Sequence, residues 1–161
     1  MKAIACIDGS NGLGYKGDLL FHLKKDMKRF RELTTGGIAI MGYNTYLSLP
    51  NGPLPNRTNI VMTRSHSIEN DGVVVVRSRE ELLEYIKKAP ADIEAWVIGG
   101  AAIYRELMGD CDEVYLTRVF ETKKSDCFFP PLGDEWVLSE SKKEEENGIG
   151  FSFEKYSKVF G

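Results

Sequence analysis

The chain has 161 residues, 42% of them hydrophobic, and a formal charge of −3; this suits a single globular domain with one core and calls for no second domain. A pI near 5.5 leaves no basic footprint for nucleic acid, and the locally positive stretch from Lys24 to Arg31 reads as a solvated helix face. Cys6, Cys111 and Cys127 are odd in number and far apart, and with only His22 and His66 besides they offer neither a disulfide framework nor a metal-ligand set. The apolar run Ala3-Ile4-Ala5-Cys6-Ile7 is too short for a signal-peptide core, and no stretch approaches membrane-spanning length. A cytoplasmic protein is expected.

Lys2 to Ile7 reads as a first strand. Next comes Gly12-Leu13-Gly14-Tyr15-Lys16-Gly17, a literal match to the G-x-G-x-x-G dinucleotide fingerprint. That fingerprint needs a helix opening in the loop and an acid about 20 residues on, and this distance lands near Gly36-Gly37. The segment is therefore read as a flexible glycine-rich loop that can fold over a ligand as a lid. From Leu23 to Thr34 a turn of about 100° per residue groups Leu23, Met27, Phe30 and Leu33 on one face. Lys24, Lys25, Lys28, Arg29, Arg31 and Glu32 are expected on the other. Asp26 falls between Leu33 and Phe30, on the apolar side. An ionised carboxylate buried without a partner costs at least several kcal/mol, so a polar group or a cationic or amide-like ligand is expected to meet it.

Ile38 to Met41, Asn59 to Thr63 and Val73 to Val76 are short, continuously apolar runs, as in parallel central strands. Ser78 can cap a helix from Arg79 to Lys88, with Glu81 at its third position, Leu82, Leu83 and Ile86 along its inner stripe, and Ala89-Pro90 after its end. A strand from Glu94 to Ile98 runs into Gly99-Gly100 and a helix from Ala101 to Met108, followed by a strand from Val114 to Val119. Trp136 to Ser141 and Phe151 to Phe160 bracket the polar stretch Lys142 to Gly148, which reads as the loop of an antiparallel hairpin closing one sheet edge. Three βα units make this an α/β chain.

Several segments carry candidate chemistry. In Ile98-Gly99-Gly100-Ala101-Ala102-Ile103-Tyr104 glycines sit at a strand-to-helix junction, where backbone can approach an anion. Gly42-Tyr43-Asn44-Thr45 forms a companion junction, and two of them could hold one extended dinucleotide. Thr63-Arg64-Ser65 offers two hydroxyls and a guanidinium to a phosphomonoester. Tight βα turns and a polar surface turn explain the same residues equally well. Pro53-Leu54-Pro55-Asn56-Arg57 sets an arginine on a stiffened turn, suited to bidentate carboxylate recognition although most surface arginines are merely solvated. Thr117 lies in an apolar strand, so its hydroxyl either satisfies itself locally or bonds a core acid such as Asp26.

Taken together these residues resemble dihydrofolate reductase, over essentially the whole chain. The matching segments are Ala5-Cys6, Leu13-Gly14, Asp26 to Phe30, Ile40-Met41-Gly42, Pro53 to Arg57, Val97 to Tyr104 and Tyr115-Leu116-Thr117, in matching order and spacing. The resemblance implies one domain: an α/β fold whose central sheet has eight mostly parallel strands, ends in the antiparallel hairpin and is flanked by four helices. It also implies a cis peptide between Gly99 and Gly100. The implied reaction reduces 7,8-dihydrofolate with NADPH, hydride going to C6 and a proton to N5, in support of one-carbon metabolism.

By the same resemblance Asp26 is the catalytic carboxylate, accepting hydrogen bonds from the pterin 2-amino group and N3–H with Thr117 in the network, while water delivers the N5 proton. Met27, Phe30, Leu49 and Leu54 would hold the substrate rings, Arg57 its glutamate α-carboxylate, and the Cys6 and Ile98 carbonyls the pterin edge. Phe21 and Tyr104 complete that pocket. Ala5, Leu13, Gly42 to Thr45, Thr63 to Ser65, Arg77, and Ile98 to Tyr104 are assigned to NADPH. The implied partners are dihydrofolate and antifolate-type small molecules, with no nucleic acid or membrane, bound by a monomer. Three departures stand out: Leu20-Phe21 where the family usually has Pro-Trp, Tyr43 where an arginine is usual, and Pro50-Asn51-Gly52 one residue longer than common beside Leu49. Alternative readings are the pyrimidine-intermediate reductase of riboflavin synthesis, which Asp26 and Arg57 oppose, and a non-catalytic pterin or nucleotide binding module.

Overall fold

The continuously apolar runs form the centre of the sheet, and the chain's glycines mark where it turns. In the computed structural model, which describes residues 1–159, the elements run β1 (Lys2–Ile7), β2 (Gly12–Tyr15), β3 (Asp18–Leu19), α1 (Lys24–Thr34), β4 (Ile38–Gly42), α2 (Tyr43–Ser48), β5 (Thr58–Met62), β6 (Val73–Val76), α3 (Arg79–Lys88), β7 (Ala95–Gly99), α4 (Ala101–Leu107), a 3-10 turn (Met108–Asp110), β8 (Glu113–Val119), β9 (Cys127–Phe128), β10 (Trp136–Glu146) and β11 (Ile149–Lys158). Eight strands make one sheet in the order β10-β11-β8-β1-β7-β4-β5-β6. It is parallel from β8 to β6 and antiparallel only in its two C-terminal strands. The fold class implied by the family resemblance is the one observed, with strand and helix limits within a residue or two for most elements.

Strand alternation divides the core. Ala3, Ala5, Ile7, Ile38, Ile40, Val97 and Leu116 face one way and pack with Leu82 of α3 and Ile103, Tyr104 and Leu107 of α4. Ala39, Met41 and Val61 face the other way, against Tyr43, Tyr46, Leu49 and Leu54. Phe21, Leu23, Val119 and Phe151 form a separate cluster towards the hairpin. Cys6 of β1 borders the hairpin-side cluster, and Ile98 of β7 borders the one holding Met41. Between them, on the face that carries α1, lies the candidate site. Chain connectivity opens this space: β1 leads through α1 to β4, two places away, and β7 later fills the gap, so strand ends and helix starts converge at the C-terminal edge.

Ser78 caps α3 as the sequence predicts, its Oγ accepting from Glu81 N at 3.1 Å; the Glu81 carboxylate reaches back to Arg77 N at 3.0 Å. Two expectations are corrected. The stretch Lys142 to Glu146 is strand, continuous with β10, and the hairpin turns on Asn147-Gly148 at φ 52° and 80°, the pair of positive angles a two-residue type I′ connection requires. Eight of the 11 residues of this edge strand are exposed, so it carries no apolar alternation to read; its charges guard the edge against further pairing. Phe160 of the expected strand lies outside the described residues. The glycine-rich segment is likewise not a loop. β2 and β3 form a hairpin about Lys16-Gly17, also at positive φ, and β2 pairs with β9 in a small three-stranded sheet. No helix opens there, which agrees with setting the fingerprint aside. No helix among the described residues is long and apolar enough to cross a membrane.

Candidate active site

Asp26 sits in the first turn of α1, and its carboxylate turns to the sheet. Thr117 of β8, 1% exposed, donates its hydroxyl to Asp26 Oδ1 at 2.5 Å. Burial is the largest influence on this carboxyl and pushes its pKa up; the Thr117 bond and the Arg29 charge pull it down, Glu146 pushes it up again, and the net direction is upward. Burial, then the Asp26 charge, also pushes the Cys6 thiol far up, so Cys6 stays a neutral neighbour. The apolar stripe of α1 is only partly a core stripe. Leu23 is buried, but Met27 is 56% exposed and Phe30 and Leu33 are half-buried, which leaves an apolar wall beside the acid. Arg29 departs from expectation. Its guanidinium folds inward over the Phe153 ring, 4.6 Å from the centroid, and donates to Leu116 O at 3.2 Å, because a long stem on a helix flank can reach the sheet.

At the far end of α1 stands Arg57. The Asn59 carboxamide builds its turn: Leu54 N donates to Oδ1 at 2.9 Å, and Nδ2 donates to Leu54 O at 2.9 Å and Arg57 O at 3.2 Å. Arg57 Nε then donates to Pro55 O at 2.9 Å and Nη1 to Thr34 Oγ1 at 3.1 Å. Nη2 has no protein partner among the described residues. From Asp26 to Thr34 the helix rises about 12 Å, so an acid and a held guanidinium flank a long apolar wall that includes Phe30, whose ring lies 5.9 Å from the Arg57 guanidinium. That spacing suits a flat ligand with an amidine-like head and a carboxylate tail.

The two glycine junctions adjoin. A Cβ at Gly42 would come within 2.9 Å of Ile103 Cγ1, and one at Gly100 within 3.4 Å of Thr45 Oγ1; side chains there would fill the space between β4–α2 and β7–α4. The Gly99–Gly100 peptide is cis. Beside them the Tyr43 ring stacks on His66 with centroids 3.8 Å apart and planes 9° from parallel. Thr63 Oγ1 lies 3.2 Å from His66 Nδ1. Arg77 spends Nη1 on the carbonyls of Thr63, at 3.1 Å, and His66, at 2.6 Å. It therefore braces the 63–66 turn, leaving the exposed Arg64 as the guanidinium beside it that faces solvent.

The family model described as dihydrofolate reductase matches residues 1–158. This chain belongs to the dihydrofolate reductase family. It is 35% identical to the dihydrofolate reductase of Bacillus subtilis (strain 168), over 96% of this chain and 92% of that protein. With the dihydrofolate reductase of Aedes albopictus it shares 34% identity, over 97% and 96%. A solved structure, the dihydrofolate reductase from Enterococcus faecalis complexed with NADP(H) and RAB-propyl, matches with a TM-score of 0.88 at 32% identity, covering 98% of this chain and 95% of that one.

The residues assigned by likeness to dihydrofolate reductases do not all present side chains to the cleft. Asp26, Thr117 and Cys6 come together, as do Leu49, Leu54 and Ile98. Gly42, Thr45 and Gly100 meet at the paired junctions, with Ala101 and Ala102 opening α4 and Asn44 exposed on α2. Phe21 is 4% exposed and packs inside the hairpin-side cluster. The Ala5 and Leu13 side chains join the core on the opposite face. Tyr104 is 3% exposed and donates its hydroxyl to Ile4 O at 2.6 Å; with Ile103, which backs Gly42, it supports the backbone of the cleft from behind. Thr34, Asn59, His66 and Glu146 escaped the sequence reading. Asn59 had a readable signal, since a carboxamide within a buried run poses the same question as Asp26. Thr34 and His66 bond locally to Phe30 and Thr63 and meet Arg57 and Tyr43 only through the fold, while both partners of Glu146 lie more than 120 positions away.

Proposed function

We propose that the site built by Asp26, Thr117 and Arg57 carries the reduction of 7,8-dihydrofolate to 5,6,7,8-tetrahydrofolate with NADPH, in a single-domain, cytoplasmic monomer. The observation that carries this reading is the half-buried Asp26 carboxylate held by Thr117. An acid so placed accepts the paired N–H donors of a pterin, its 2-amino group and N3–H, and thereby fixes the ring's orientation. Arg57, already aligned by Thr34 and Pro55, takes the glutamate α-carboxylate. Met27, Phe30, Leu49 and Leu54 cover the rings between. Antifolate-type small molecules would compete for the same acid.

The residues suited to NADPH are Gly42 to Thr45 and Gly99 to Ile103 for the pyrophosphate region, where the paired glycines leave an open cradle, and Thr63, Arg64 and Ser65 for the 2′-phosphate. Held there, NADPH would supply a hydride for C6 of the pterin. Asp26 contributes charge: a carboxylate beside the ring favours a proton on N5 electrostatically. It holds the opposite edge of the pterin, so water brings that proton. Purified protein is expected to oxidise NADPH only when dihydrofolate is present, and Asp26→Asn to lose roughly 100-fold or more of that rate. Unchanged turnover in the variant overturns the assignment of the acid.

A further inference from the structure

Helix α1 starts without a cap of its own. Leu23 occupies the N-cap and makes no side-chain capping bond, so the amides of the first turn lack partners within the helix. Glu146, the last residue of β10, supplies them: Oε2 accepts from Lys24 N at 2.7 Å and Oε1 from Lys25 N at 2.9 Å. A capping side chain normally comes from the residue beside the helix; this one lies 122 positions away in sequence. Lys25 strengthens the junction, its Nζ lying 3.3 Å from Glu144 Oε2 and 2.9 Å from Glu145 O.

Asp26 is the next residue along, in the turn that Glu146 grips. Helix N–H groups point along the axis, so a slide of α1 would lengthen the two-pronged cap and carry the Asp26 carboxylate along with it relative to Thr117. Thr117 from β8 bonds Asp26 directly; Arg29 from its own helix and Glu146 from β10 act on it through charge, and the neutral Cys6 of β1 and Tyr104 of α4 feel its charge in turn. Of these only Glu146 contributes a second carboxylate, and it shares with Asp26 the positive end of one helix dipole.

We propose that Glu146 is a positioning residue for Asp26: by capping α1 from the β10–β11 hairpin it sets the axial place of the helix, and so the placing of the carboxylate against Thr117 and the substrate. The proposal rests on the reading of Asp26 as the substrate acid. Cap and charge separate on substitution, since Gln retains an acceptor for one amide but no charge, Asp retains the charge on a shorter stem, and Ala retains neither.

The test is to compare Glu146→Gln, Glu146→Asp and Glu146→Ala by steady-state kinetics against pH, with dihydrofolate and saturating NADPH. The Asp26 carboxyl is titrated alongside by carbon NMR in the folded protein. Glu146→Ala is expected to lower kcat/KM for dihydrofolate roughly tenfold, as misplacement of a binding group does. Glu146→Gln is expected to move the Asp26 midpoint, and the matching limb of the pH profile, to lower pH; Glu146→Asp should bring both back towards the parent. Lower melting temperatures with unmoved titration and kcat/KM in both Gln and Ala variants would overturn the proposal and leave Glu146 a plain helix cap. Full turnover in Asp26→Asn is the separate outcome that defeats the underlying reading instead.

Discussion

Thr117 and Asp26 meet across 91 positions, the hydroxyl of a buried strand residue donating at 2.5 Å to the carboxylate that α1 turns towards the sheet. This bond favours the ionised acid and fixes its direction. Thr117→Val keeps the shape and removes the donor. A hydrogen bond to a charged group is worth about 1.5–3 kcal/mol, so kcat/KM for dihydrofolate is expected to fall roughly ten- to 100-fold. The Asp26 midpoint should rise further, while Thr117→Ser retains most of the activity. Steady-state kinetics across pH check both effects.

The same acid should weaken the fold that carries it. Burial is the main reason its carboxyl pKa is raised in the native protein. With the folded pKa above the unfolded value, Asp26 contributes stability that is fully present below the unfolded carboxyl range, near pH 4, and lost as pH rises through the folded pKa. Asp26→Asn, which keeps a hydrogen-bond acceptor for Thr117, is expected to melt above the parent at neutral pH. The difference should vanish in acid. Calorimetric melting of the ligand-free proteins at both pH values decides it.

Asp8 is the opposite case. Fully buried, it accepts from Ser10 N at 2.8 Å, Gly12 N at 2.7 Å and Lys123 N at 3.0 Å, and so ties the entry to β2 to the segment after β8. Burial opposes its charge, but the three amides outweigh it and hold the carboxyl below the usual range. Its stability contribution is present above the unfolded pKa and lost as pH falls through the folded one. Asp8→Ala strands those amides and is expected to cost about 2–4 kcal/mol at neutral pH, less in acid. Denaturant unfolding measures the loss, and faster amide exchange at Gly12 and Lys123 would localise it.

Tyr43 stands where the family usually carries an arginine, stacked on His66, while Arg77 is committed to backbone carbonyls. Tyr43→Arg adds a second free guanidinium next to Arg64. The affinity ratio of NADPH to NADH is expected to rise about tenfold, the effect of one further charge-assisted contact on a phosphate. Fluorescence titration with the two cofactors reads it directly, and a ratio unchanged by the substitution would place the 2′-phosphate elsewhere.

Much of the fold was legible because it is written in short-range patterns. Continuous apolar runs such as Ile38 to Met41 mark strands buried on both faces, and Ser78 with Glu81 marks a helix start. The β10–β11 hairpin was legible only in outline. An exposed edge strand has little burial to imprint a period on its residues, so Lys142 to Glu146 reads as a loop in sequence, although Asn147-Gly148 holds the turn signal. The Lys16-Gly17 hairpin was hidden in the same way by its glycines.

The sequence by itself determined that an acid would lie on the inner side of α1 and that glycines would open two strand-to-helix junctions. Those facts follow from helix periodicity and from the absence of a Cβ, which are properties of neighbouring residues. Tertiary structure alone decided what meets them: Thr117 on Asp26, Glu146 on the start of α1, Thr34 on Arg57, Ile103 against Gly42, and the inward turn of Arg29. Each joins groups far apart in the chain, where a residue's partner depends on strand order and on how far its stem reaches. No local pattern encodes either.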